Sequence, residues 1–138
     1  ITEWMQANAI TMRDVTGPDL IAAFGGLIGD ADKKALTPKV AEDEATMFRR
    51  ALSISFDGWI DDDLAFVQSF GFELSKIDKP VVIWQGDDDF MVPHAHSVWL
   101  AKHIPGADLR FVPGHGHISL GEEFRPNIIK DALAFLNV

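Results

Sequence analysis

Apolar residues recur at helical spacing through the first part of the chain and change rhythm after Asp57. Thr2 to Thr11 carries Trp4, Met5 and Ile10; Gly17-Pro18-Asp19 then punctuates, and Leu20 to Ile28 follows as a second helical stretch. Thr37-Pro38 supplies a capping hydroxyl and a first-turn proline for a helix through Leu52, with Val40, Ala41, Ala45, Met47 and Phe48 on or near one face. Residues 1–56 are therefore expected to form a small helical region.

Beyond Asp57 the pattern becomes strand, loop, helix, strand, loop, helix. Asp61-Asp62-Asp63 precedes Leu64, Ala65, Phe66 and Val67, as acids do in a first helical turn. The run Val81-Val82-Ile83-Trp84 follows Pro80 and stops at Gly86; its lack of alternation suits a strand covered on both faces, as in a parallel sheet. His94 to His103 reads as a helix ended by Ile104-Pro105-Gly106, Leu109 to Val112 as a second strand, and Phe124 to Phe135 as a closing helix. Two strands joined through a helix make a βαβ crossover, the unit of a doubly wound sheet.

Charge and composition narrow the partners. The net charge of -9 argues against nucleic acid and anionic membranes, and no apolar run approaches the roughly 20 residues of a membrane span. With no cysteine, disulfides, thiolate metal sites and cysteine nucleophiles are excluded. No signal-peptide pattern stands near Ile1, so the expected compartment is the cytoplasm.

Functional groups of an open parallel sheet lie in loops beyond the carboxyl ends of its strands. Both such loops here are rich in chemistry: Gly86-Asp87-Asp88-Asp89-Phe90-Met91-Val92-Pro93 after the first strand, and Pro113-Gly114-His115-Gly116-His117 after the second. Strands about 5 Å apart bring their loops to one rim, where a carboxylate can fix a histidine tautomer and stabilise its imidazolium. The same residues raise a metal cluster as an alternative, since His94/His96 and His115/His117 are each spaced two apart near Asp87 to Asp89. No H-E-x-x-H helix accompanies them, and neither a metal nor a cofactor is expected.

The stretch from Pro80 to Leu120 resembles the end of α/β-hydrolases, whose triad acid lies in a G-x-x-D-x-x-V-P turn, matched by Gly86, Asp89, Val92 and Pro93. The family's triad histidine lies in a G-x-G-H turn before the last helix, matched by Gly114, Gly116 and His117. The resemblance implies Asp89 as triad acid and His117 as triad base, in the family's chain order. It implies an α/β fold, the C-terminal part of a doubly wound α/β-hydrolase sheet (57–138), with two strands and flanking helices, preceded by a helical cap (1–56). Asp87, Asp88 and His115 occupy positions that the pattern leaves free.

No G-x-S-x-G elbow occurs, and Ser53, Ser55, Ser69, Ser75, Ser97 and Ser119 all lack its glycine framing. The chain opens at Ile1 and reads as the middle of something, so the nucleophile is expected upstream and the isolated chain is expected to be inactive. The resemblance and the apolar cap imply hydrolysis of a small, largely apolar ester or amide. The alternative is a non-catalytic binding or association module. Surface meant for absent strands would drive the isolated chain to homo-oligomers.

Overall fold

The computed structural model describes residues 2–136. In chain order it holds helices α1 (Thr2–Met12), α2 (Gly17–Phe24), α3 (Asp30–Ala35), α4 (Pro38–Ala51) and α5 (Asp57–Phe66), and then a 3-10 turn (Leu74–Lys76). Strand β1 (Val82–Gly86), helix α6 (His94–His103), strand β2 (Asp108–Val112) and helix α7 (His117–Phe135) follow. These elements form two compact units.

The first unit comprises residues up to Phe24 together with Thr37–Phe72. Thr37 starts α4 as the sequence predicts: its hydroxyl accepts from the Val40 N–H at 3.3 Å and Pro38 opens the first turn. Small residues then let α2 approach closely. Ala41 and Ala45 are fully buried, and a Cβ on Gly17 would fall 3.0 Å from the Glu42 backbone nitrogen. Leu20 fills the contact with Val15 and Ala45, ringed by Met12, Phe24 and Phe48. Glu42 ties the ends together, accepting from Arg49 at 2.7 Å and from the Gly17 N–H at 2.9 Å; these bonds hold its carboxyl below the usual range.

The second unit comprises Gly25–Leu36 and Glu73 onward. Here β1 and β2 pair in parallel from Val82↔Asp108 to Gly86↔Val112, with α6 as the crossover and α7 following β2. Arg110 of β2 reaches Asp131 of α7, its guanidinium lies 5.2 Å from the Trp84 ring centroid, and Trp84 packs on Phe124 at 5.8 Å.

The crossover was legible, but the larger sheet was not. Instead of part of a doubly wound α/β-hydrolase sheet behind a helical cap, the described chain is helix-rich with two five-residue strands paired only to each other. The physical reason lies in β1. Its apolar residues Val82, Ile83 and Trp84 are only half-buried, and burial is complete only at Gln85 and Gly86, so the uninterrupted apolar run does not mark a strand covered on both faces.

The units also cut across the 1–56 and 57–138 division. α3 belongs with the sheet, and α5 belongs with the helical unit.

Candidate active site

Because β1 and β2 are parallel and in register to Gly86↔Val112, both loops leave from the same end of the pair. Backbone bonds then lace the loops together. The Asp88 N–H donates to the His115 carbonyl at 2.9 Å, the Asp87 N–H to that of Val112 at 3.4 Å, and the Gly114 N–H to Asp87 Oδ1 at 2.6 Å. The approach is so close at Gly86 that a Cβ would lie 2.1 Å from the His115 carbonyl oxygen. Gly114 adopts φ +70°, a conformation that side chains disfavour. Gly86 and Gly114 of the two motifs thus each have a steric reason, and Asp87, left free by the motifs, anchors one loop to the other.

Asp89 and His117 meet at this rim. His117 Nδ1 donates to Asp89 Oδ2 at 3.1 Å. The opposite carboxylate oxygen, Oδ1, accepts from the Met91 and Val92 N–H groups at 2.9 and 2.8 Å, so the chain's own turn aims the acid. Buried Gln85 supports it further: its amide nitrogen lies 3.4 Å from Asp89 Oδ2 and also donates to the carbonyls of Gly86 and Val92 at 3.1 and 3.3 Å. The Asp89 side chain is 7% exposed and that of His117 is 49% exposed, which places a buried acid behind an accessible imidazole. Among the described residues Nε2 of His117 has no hydrogen-bond partner. Such an imidazole can take a proton on its open nitrogen while the carboxylate stabilises the resulting cation.

Other residues singled out by the sequence are placed elsewhere. His115 Nδ1 faces the Pro113 carbonyl and its Nε2 faces Glu123, both at 2.9 Å. The bond to Glu123, and next that to Pro113, raises its pKa above the ordinary value. Among the described residues no three acids or histidines gather in a metal-holding arrangement. Of the serines, Ser53 and Ser97 donate to the carbonyls of Arg50 and His94, Ser55 to Asp57 and Ser119 to Asp32, each at 2.8 or 2.9 Å, so these hydroxyl protons are locally engaged.

One neighbour of the site had no motif to announce it. Asp32, wholly buried on α3, accepts hydrogen bonds from the start of α7. A carboxylate at a helix amino terminus is locally unremarkable, and nothing around Asp32 in the sequence points to a partner 85 positions away.

Two hollows accompany these elements. An open cleft of about 530 Å³ lies between α3 and α7, lined by Lys34, His115, Ser119, Glu122 and Glu123, but by neither Asp89 nor His117. A second hollow, about 370 Å³, lies in the helical unit against Phe48, Leu52, Trp59 and Asp62. Of the apolar residues placed at helical spacing in α1 and α4, Met5 is buried, whereas Trp4 and Met47 are exposed.

No family model matches the chain, and no curated protein sequence matches it. No helix among the described residues is long and apolar enough to cross a membrane.

Proposed function

We propose that Asp89 and His117 are the acid and base of a hydrolytic triad acting on a small, largely apolar ester or amide, with the nucleophile supplied by a part of the protein preceding Ile1. The observation that carries this reading is the 3.1 Å Nδ1 to Oδ2 contact, with Asp89 fixed from behind by two backbone N–H groups and Nε2 left open. The local engagement of the Ser53, Ser55, Ser97 and Ser119 hydroxyls supports a nucleophile from elsewhere.

In the proposed cycle a serine oxygen attacks the acyl carbonyl and its proton passes to Nε2 of His117. That proton goes to the leaving alcohol or amine as the acyl bond breaks. Water then repeats the sequence: His117 takes its proton, the acyl-enzyme bond breaks, and the proton returns to the serine as the carboxylic acid departs. Asp89 stays ionised and holds the ring. The first turn of α7 is not the oxyanion donor, because Asp32 already occupies its N–H groups. The chemistry draws on no metal or organic cofactor, and the cytoplasm is carried with the proposal as the working compartment.

The test is turnover of a short-chain aryl ester by this chain and by the protein extended upstream, each with and without His117→Ala. Activity in the extended form alone, lost with His117→Ala, is the expected result. Equal activity of the extended protein with and without His117 would sink the proposal.

A second reading, a non-catalytic association module, is favoured by one feature: Phe66, Val67, Phe70 and Phe72 are all exposed, Phe66 by 84%. It shares with the first the expectation that the isolated chain self-associates. Light scattering at micromolar concentration checks this, and a clean monomer would count against it.

A further inference from the structure

We infer that Asp32 is a positioning residue for His117, fixing the backbone from which the imidazole departs and thereby the tautomer presented to Asp89. The inference rests on reading His117 as the base.

The first turn of any helix has N–H groups without intrahelical partners, and the residue just before it commonly supplies a capping side chain. Before α7 that residue is Gly116, which has none. Asp32 substitutes for it from α3: Oδ2 accepts from the His117 N–H at 2.8 Å, and Oδ1 accepts from the Ile118 and Ser119 N–H groups at 3.0 and 2.8 Å and from the Ser119 hydroxyl at 2.8 Å. Ser119 Oγ in turn accepts from the Gly116 N–H at 2.8 Å. A Cβ on Gly116 would fall 2.4 Å from Asp32 Oδ2, so the glycine and the distant acid are complementary parts of one arrangement.

The two oxygens do different work. Oδ1 holds the helix behind the base, whereas Oδ2 holds only the backbone of His117. With its N–H clamped there and its ring bonded to Asp89 at 3.1 Å, the residue is fixed at two points. A shift of about 1 Å at the first point would carry Nδ1 beyond hydrogen-bond reach at the second.

This separation makes Asp32→Asn diagnostic. Its amide oxygen can occupy the Oδ1 position and keep the bonds to Ile118 and Ser119. Its NH2 group then faces the His117 N–H, donor against donor.

The measurement is the pair of 15N chemical shifts of the His117 ring in this chain at alkaline pH, assigned by their disappearance in His117→Gln. Native protein should show one dominant tautomer, protonated at Nδ1; Asp32→Asn should remain folded by circular dichroism and show averaged shifts of mixed tautomers. Native-like ring shifts in folded Asp32→Asn would overturn the inference. Should that variant fail to fold, Asp32→Glu replaces it. The longer side chain keeps the charge but moves the oxygen that faces the His117 N–H, so averaged ring shifts are expected there too, and native-like shifts would overturn the inference.

In the upstream-extended protein, Asp32→Asn should lower kcat at least about 10-fold with KM within about 2-fold. An extended native protein with no turnover, whose ring shifts still respond to Asp32→Asn, would sink the hydrolase reading and leave the positioning role standing.

Discussion

His115 and His117 stand on either side of Gly116 and each bonds a carboxylate, but the two surroundings treat the ring differently. Around His115, both ring nitrogens face acceptors, the Pro113 carbonyl and Glu123, and only the imidazolium can donate to both at once. Around His117, one nitrogen faces buried Asp89 and the other is open. The first arrangement consumes the proton it holds; the second leaves a lone pair available to accept one. Spacing in the sequence cannot separate these roles, because both histidines follow a glycine in the same short turn.

The largest expected separation between the two regions is in turnover. In the upstream-extended protein, Asp89→Asn should lower kcat by about 10⁴-fold by admitting the wrong tautomer of His117, while His115→Gln should leave kcat within about 3-fold. Stopped assays on an aryl ester check both, and comparable losses would erase the difference between the two histidines.

A mid-sized effect should come from Gly86→Ala, where the added methyl meets the His115 backbone rather than a mobile side chain. A loss of about 2–3 kcal/mol in urea unfolding is expected, since the two loops must separate. Its NMR signature should fall first on the His115–Glu123 bond, because the methyl displaces the His115 backbone directly, and reach the His117–Asp89 bond through Gly116.

The smallest effect is a pH dependence. Glu123 raises the folded-state pKa of His115 above its unfolded value, so the pair contributes stability fully below about pH 6.5, and that contribution is lost as pH rises through the raised value. The difference in urea midpoint between native protein and His115→Gln should therefore shrink from pH 5.5 toward pH 9. A difference that grows with pH would show the ring to be neutral in the folded state.

How much of this was readable in the sequence depends on how far each cause lies along the chain. The start of α4 was legible because Thr37 and Pro38 act within one turn of themselves. The meeting of Asp89 with His117 was legible because two glycine-bearing turns each follow a strand of one crossover, and the strands bring the turns together.

What was missed had distant causes. Leu20 to Ile28 looked like one helix, but α2 ends at Phe24 and Gly25 turns with φ +22° into a separate α3. The last helix was expected from Phe124, yet it begins at His117 because an acid 85 residues earlier satisfies its first N–H groups. The apolar run of β1 promised a strand covered on both faces, and its half-exposed side chains show that such a run alone does not establish that cover.

The path of the chain through α3 bears on how this protein can be cut and recombined. It leaves the helical unit after Phe24 and re-enters it at Thr37, having contributed Asp32 to the other unit in between. A fragment beginning at Asp57, where the hydrophobic rhythm changes, would carry both triad candidates but discard the carboxylate beneath one of them. A chimera that exchanges residues 1–56 as a module would import a foreign residue into that position. Only exchanges that keep 25–36 with the loops would preserve it, so the natural seams for grafting here are three: one on either side of α3 and one after Phe72.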